Sequence, residues 1–353
     1  MIQRRAICFS GIFSCGSGFS RDRLLRYVGV LACCLALPMA ALADRFRMGV
    51  PTAPTHVWTI EANAFATAFA ERTQGAHSIA VFPAGQLGND AQMLQQLQTG
   101  ALDMAFMPIA EITNRIPEFG ALYAPYLAKD VATAAQLLAS DEARGLLDQL
   151  PARIGVVGLG YSLAGMRQII SRDAVQSLDD LKGLKLRITP LDPIRDFYVL
   201  AGAAPIPMPL GSVYDALANG QIDAIDMDLE NIWKQKYYDL GETVVLSNHM
   251  MFPMVGLVSA VKWRGFEPGL RATISELMAQ HFERIAATYI DAESEYATEL
   301  KNAGIEIRPV GPEFFGPVLS QWEEAWQEKA PVLTRLRRLA AAGVGAPEGQ
   351  RTP

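Results

Sequence analysis

The chain has 353 residues, 50% of them apolar and 19% charged, which excludes a disordered protein and leaves length for one large core or two smaller ones. Lys and Arg number 31 against 37 Asp and Glu, a formal charge of -6. No global basic field for nucleic acid exists.

These averages hide a division. All four Cys (Cys8, Cys15, Cys33 and Cys34) lie in the first 34 residues. The same segment reads as a secretory leader. Arg21, Arg23 and Arg26 precede the apolar stretch from Val28 to Leu37, and Ala41-Leu42-Ala43 matches a small-x-small cleavage site, so the mature chain is expected to begin at Asp44. Without residues 1–43 there remain 310 residues, 26 basic and 36 acidic side chains, a charge of -10 and no Cys. An exported protein without disulfides must draw its stability from its core. No later apolar run approaches the length of a membrane span. The expectation is a periplasmic, moderately acidic protein that is not embedded in the membrane.

The elements alternate in character along the chain. Arg45 to Val50 predicts a strand, and a Pro/Thr loop follows it. Val57 to Thr73 carries apolar residues at helical spacing, and Ser78 to Phe82 alternates as a strand does. Asn89 caps a predicted helix that stops at Gly100, and Leu102 to Met107 reads as a buried strand. Helix, strand, helix, strand in this order argues for α/β architecture. The grammar returns further on. Ser212 is positioned to cap a helix ending at Gly220, before the strand Ile222 to Ile225. Gly100-Ala101-Leu102-Asp103 and Gly220-Gln221-Ile222-Asp223 share one pattern, about 120 residues apart, which points to two similar lobes. Past Pro268, apolar residues recur at three- and four-residue steps over roughly 34 residues, a helix of about 50 Å that reads as a strut across both lobes. Ile305 to Val310 then predicts a strand, Phe314 to Leu339 one final helix, and the Gly/Pro-rich tail from Gly343 is expected to be disordered.

Enzyme motifs are thin. Gly160-Tyr161-Ser162-Leu163-Ala164 approaches a nucleophile elbow, but a strand from Met166 to Ser171 follows where the elbow needs a helix. The four His are scattered, and measured from Asp226 the acidic run fails the calcium-loop pattern at Asn231 and Tyr237. No cofactor or metal is called for. Arginines are more suggestive. Leu184, Leu186 and Ile188 alternate with Lys185, Arg187 and Thr189, setting Arg187 on the face opposite the apolar residues, and Arg167 lies in the preceding strand candidate. Two such guanidinium groups either grip a carboxylate or form surface ion pairs.

With these residues in order, the sequence resembles the solute-binding proteins of tripartite ATP-independent periplasmic (TRAP) transporters. The resemblance rests on Phe82-Pro83-Ala84-Gly85-Gln86-Leu87-Gly88, Leu97 to Asp103, Leu181-Lys182-Gly183-Leu184-Lys185-Leu186-Arg187, and Pro205 through Tyr214 to Asp223. It implies a two-lobed α/β periplasmic-binding fold with a central cleft and a long bridging helix. It also implies that Arg187 binds a substrate carboxylate with Arg167 assisting, and that a membrane permease receives the organic acid. The lobes are expected at 44–165 with about 253–290, and 166–252 with about 291–342. His56, Trp58, Met107, Tyr214, Asp226, Met227 and Trp233 are candidate cleft residues. Ala224-Ile225-Asp226-Met227 departs from the Gly-Gln-Glu-Asn of many members, and Met and Trp lining favours a monocarboxylate with an apolar or aromatic body. Two other readings stay open: a periplasmic enzyme using Ser162 or an acid between Asp223 and Glu230, and a module presenting solute to a sensor.

Overall fold

The computed structural model describes residues 44–343. The leader with its Cys and cleavage site, and the tail beyond Gly343, lie outside the described residues. Among the described residues, no helix is long and apolar enough to cross a membrane.

Two sheets organise the chain. The first has five strands in the order β2-β1-β3-β10-β4, where β1 is Asp44–Gly49, β2 His77–Phe82, β3 Met104–Pro108, β4 Val156–Met166 and β10 Met251–Ser259. The second has six, β11-β9-β5-β8-β6-β7: β5 Gln168–Ser171, β6 Lys185–Ile188, β7 Ala204–Pro207, β8 Ala224–Met227, β9 Thr243–Leu246 and β11 Glu306–Pro309. In each sheet β-α-β units supply parallel neighbours, β1 with β2 and β3, and β6 with β7 and β8. Each also holds antiparallel strands delivered by the crossovers β4 to β5 and β9 to β10.

The twin Gly…Asp pattern does the same work in both sheets. Gly100 and Gly220 take φ of +79° and +70°, a left-handed helix end that glycine reaches at least cost. Three residues later the Asp carboxylate accepts a backbone N–H of the neighbouring strand. Asp103 Oδ2 takes Arg47 N at 2.8 Å, and Asp223 Oδ2 takes Lys185 N at 3.0 Å. Each turn thereby pins its strand to the next one.

The long helix is Pro268–Asn302, 35 residues. It packs on Val57–Arg72 and β4 of the first sheet's side, then on Leu229–Lys234 and β11 of the second. Ile274, Leu277, Met278, Phe282, Ile285 and Tyr289 are buried at the three- and four-residue steps read from sequence, while Ile290 in the same run is 49% exposed. The fold is the two-lobed α/β architecture with a bridging helix that the resemblance implies. The C-terminal reading is corrected in one respect. Phe314 to Leu339 is not a single helix but a short turn at Pro312–Phe314, then Val318–Gln327 and Leu333–Ala341. Pro317 and Pro331 lack the N–H that a continuous helix needs. Ser212 stands at a helix N-cap position but makes no side-chain cap bond.

Candidate functional site

The loops at the strand ends of both sheets enclose one cavity. Pro51 and Thr52 after β1 and Pro108 at the end of β3 face it from the first sheet; Thr189 after β6, Leu210 after β7 and Asp228 after β8 face it from the second. Arg167 and Arg187 both line it, as do His56, Trp58 and Met227. The structure thus brings together five of the nine residues singled out from sequence.

The two arginines differ in what holds them. Arg167 lies in the crossover between β4 and β5 and is 1% exposed. Its Nε donates to Asp226 Oδ1 at 2.7 Å, Nη2 donates to both the carboxylate and carbonyl of Asp226, and Nη1 reaches Asp228 Oδ2 at 3.4 Å. The Phe252 ring lies 4.3 Å from its guanidinium carbon. Asp226 in turn accepts from the Tyr198 hydroxyl at 3.0 Å and sits 3.1 Å from His249 Nε2. Burial opposes ionisation of Asp226, yet the Arg167 guanidinium and the His249 contact hold its carboxyl well below the usual range. Arg167 is therefore a compensated cation.

Arg187 is not. Its Nε and Nη2 donate to the Met208 carbonyl at 3.0 and 2.7 Å, which orients the guanidinium without neutralising it. Among the described residues no carboxylate forms an ion pair with it. Burial first, and then repulsion from Arg167, push it down to about 10, so it stays protonated at neutral pH while favouring any anion beside it.

The wall near His56 is polar and tightly bonded. His56 Nδ1 accepts from Trp58 N at 3.1 Å and Nε2 faces Glu230 Oε2 at 3.2 Å. Glu230 also receives Val57 N at 2.9 Å, Lys234 Nζ at 2.6 Å and the Tyr289 hydroxyl. His56, Asp228 and Glu230 bring ligand atoms within 4.8 Å of one another. In this geometry those of His56 and Glu230 are already engaged by protein groups, so the cluster acts as a hydrogen-bonded wall rather than an open cation site.

Five expectations are corrected. Met107 is buried within β3, paired with Val255 of β10, and does not line the cavity. Tyr214 is 41% exposed and stacks on Tyr237, while Trp233 stacks on Tyr238 at 4.9 Å, both outside the cavity. Asp226 sits behind Arg167 as its partner rather than on the wall. Ser162 donates to the Phe282 carbonyl at 3.0 Å, so its hydroxyl proton is directed to a backbone carbonyl rather than to a base. Sequence reasoning missed Asp90, Asn231 and Phe252 as cavity residues. Only Asp90 had a signal, its place directly after the cap Asn89 at a helix N-terminus.

The description "Bacterial extracellular solute-binding protein, family 7" matches this chain over residues 48–331, most of its length. The chain belongs to this solute-binding family. Family 7 proteins of this kind are the solute-binding components of TRAP transporters, not enzymes. The sialic acid-binding periplasmic protein SiaP of Vibrio cholerae is 27% identical over 265 residues, 75% of this chain and 83% of that protein. The C4-dicarboxylate-binding periplasmic protein DctP of Rhodobacter capsulatus is 26% identical over 322 residues, 90% of this chain and 93% of that one. The crystal structure of the sugar acid binding protein DctPAm from Advenella mimigardefordensis, in complex with galactonate, superposes with a TM-score of 0.81 at 25% identity, covering 86% of this chain and 99% of that one.

Proposed function

We propose that this family 7 protein captures a small organic carboxylate in the cavity between its sheets, with Arg187 as the anion-binding group, and delivers it to a TRAP membrane permease. The observation that carries this reading is Arg187: a buried guanidinium on the cavity wall, oriented by a carbonyl and lacking a carboxylate partner among the described residues. An entering carboxylate supplies the missing charge in a site of low dielectric, where the attraction is strongest. Sialic acid, C4-dicarboxylates and galactonate, the ligands for which the three relatives are named, share a carboxylate. Arg167 assists from the same wall, its position set by Asp226.

In this reading the lobes run over 44–165 with about 253–290 and over 166–252 with about 291–342, and close on the ligand by hinge motion at the crossovers. The leader is removed near Ala43 and the mature protein works in the periplasm. The test is a melting-temperature screen with a broad panel of organic acids on wild type and Arg187→Ala. A ligand at about 100 times its Kd adds about 2.7 kcal/mol to stability. The variant is expected to lose that shift while staying folded. Equal shifts in both proteins would sink the assignment of Arg187.

A further inference from the structure

We propose that the captured acid carries a hydrogen-bond donor, a hydroxyl or ammonium group, beside its carboxylate, and that Asn231 Oδ1 receives it. This inference rests on the carboxylate reading of Arg187 and adds a second point of recognition to the same cavity.

Asn231 lines the cavity and is 4% exposed. Its orientation is set from the nitrogen side. Nδ2 donates to Asp228 Oδ1 at 3.2 Å and Oδ2 at 3.0 Å, and the Asn231 backbone N donates to Asp228 Oδ1 at 2.9 Å. Turning the amide over would press Oδ1 against the Asp228 carboxylate and break both side-chain bonds. His56 does not reverse this choice, although its Nε2 lies 3.3 Å from Asn231 Nδ2. His56 Nδ1 accepts from Trp58 N, which assigns the ring proton to Nε2; a turned amide would offer that proton an acceptor at 3.3 Å, but only by setting Oδ1 against both oxygens of the charged Asp228 carboxylate, and the carboxylate decides.

With Nδ2 engaged, Oδ1 is left as a buried acceptor that no protein donor reaches. Among the described residues, several buried side-chain atoms lack a partner, but Asn231 is the one residue of that group on this cavity's wall. A ligand that covers Oδ1 with a C–H group leaves it desolvated and unpaired; one that offers an O–H or N–H pairs it. The site therefore selects donor-bearing acids over their deoxy counterparts, the asymmetry expected wherever a cavity presents an otherwise unsatisfied polar atom. A water molecule resident at Oδ1 in every complex is the rival account, and it predicts equal affinities for the two kinds of acid.

Calorimetry on the mature protein with matched pairs decides between them: lactate and alanine against propionate, mandelate against phenylacetate, gluconate against hexanoate. In wild type the donor-bearing member of at least one pair is expected to bind about tenfold tighter or more. Asn231→Leu should bring that ratio close to unity with little change for the deoxy acid, and Asn231→Ala serves as a second variant should the larger side chain impair folding. Equal or tighter binding of the deoxy member in every pair overturns the inference in wild type alone, and so does a ratio that survives both variants. If the members of a pair bind equally and Arg187→Ala abolishes both, only the Asn231 assignment falls. If no pair binds in a manner that Arg187→Ala weakens, the carboxylate reading and this inference fall together.

Discussion

Asp90 faces the same cavity as Arg187 from the first turn of the helix Asp90–Thr99. Burial, and next the neighbouring Glu111 carboxylate, push its carboxyl up to about 7 against the pull of Arg187. The unfolded chain releases this proton near the ordinary carboxylate value of 3.8, whereas the folded chain keeps it to about 7. Folding therefore binds an extra proton between those values, and Asp90's contribution makes stability fall as pH rises through that window. An anion placed beside Arg187 disfavours the charged form of Asp90 further, so carboxylate binding takes up a proton. Affinity should weaken by several-fold between about pH 6 and about pH 9, and Asp90→Asn should flatten that profile in calorimetry. A wild-type profile as flat as the variant's would remove Asp90 from the binding equilibrium. The residue scale also separates the two arginines. Alternation along 184–189 placed Arg187 on a face of its own, and that placement was legible; that Asp226 and Asp228 compensate Arg167 was not, since those partners lie 59 and 61 positions away.

Among elements, the long helix comes close against β10 at a single glycine. Gly256 lies in β10, where an added Cβ would meet Met278 Sδ at 2.2 Å and the Phe282 ring at 2.5 Å. Gly256→Ala should cost about 1–3 kcal/mol, read from the denaturant midpoint, because overpacking a tight helix–sheet contact forces side chains off their rotamers. An unchanged midpoint would mean that the helix gives way freely. The helix itself was legible over its full length because its apolar stripe repeats at three and four residues. The C-terminal segment was less so: an apolar pattern continues across Pro317 and Pro331, and pattern alone does not register a missing N–H. The twin Gly…Asp turns were legible as a repeat, but the backbone N–H groups they hold, Arg47 N and Lys185 N, belong to strands distant in sequence.

At the scale of the molecule, two short crossovers and one helix join the sheets. Gly165, just before Arg167, sits at φ +70°, and a Cβ there would meet Glu293 Oε1 at 2.1 Å. That carboxyl oxygen accepts Met166 N at 3.1 Å, so the long helix holds the crossover directly. Gly165→Ala should destabilise the fold by about 1–3 kcal/mol and weaken carboxylate affinity together, through backbone strain and displacement of Glu293. A loss of stability with affinity intact would separate the crossover from lobe closure. The rest follows from range. Periodicity, helix caps and strand alternation are local, and through them the sequence by itself determined the α/β class, the twin turns, the long helix and the face on which Arg187 stands. Its leader pattern set the expected compartment in the same local way. Only the tertiary structure decided which arginine has a counter-charge, that His56 and Glu230 form a bonded wall, and that Asn231 Oδ1 is left over. The first two depend on groups brought together across more than 50 residues, where no local spacing records who pairs with whom; Asn231 is held by Asp228 only three positions away, but the cavity its side chain lines is built from distant segments.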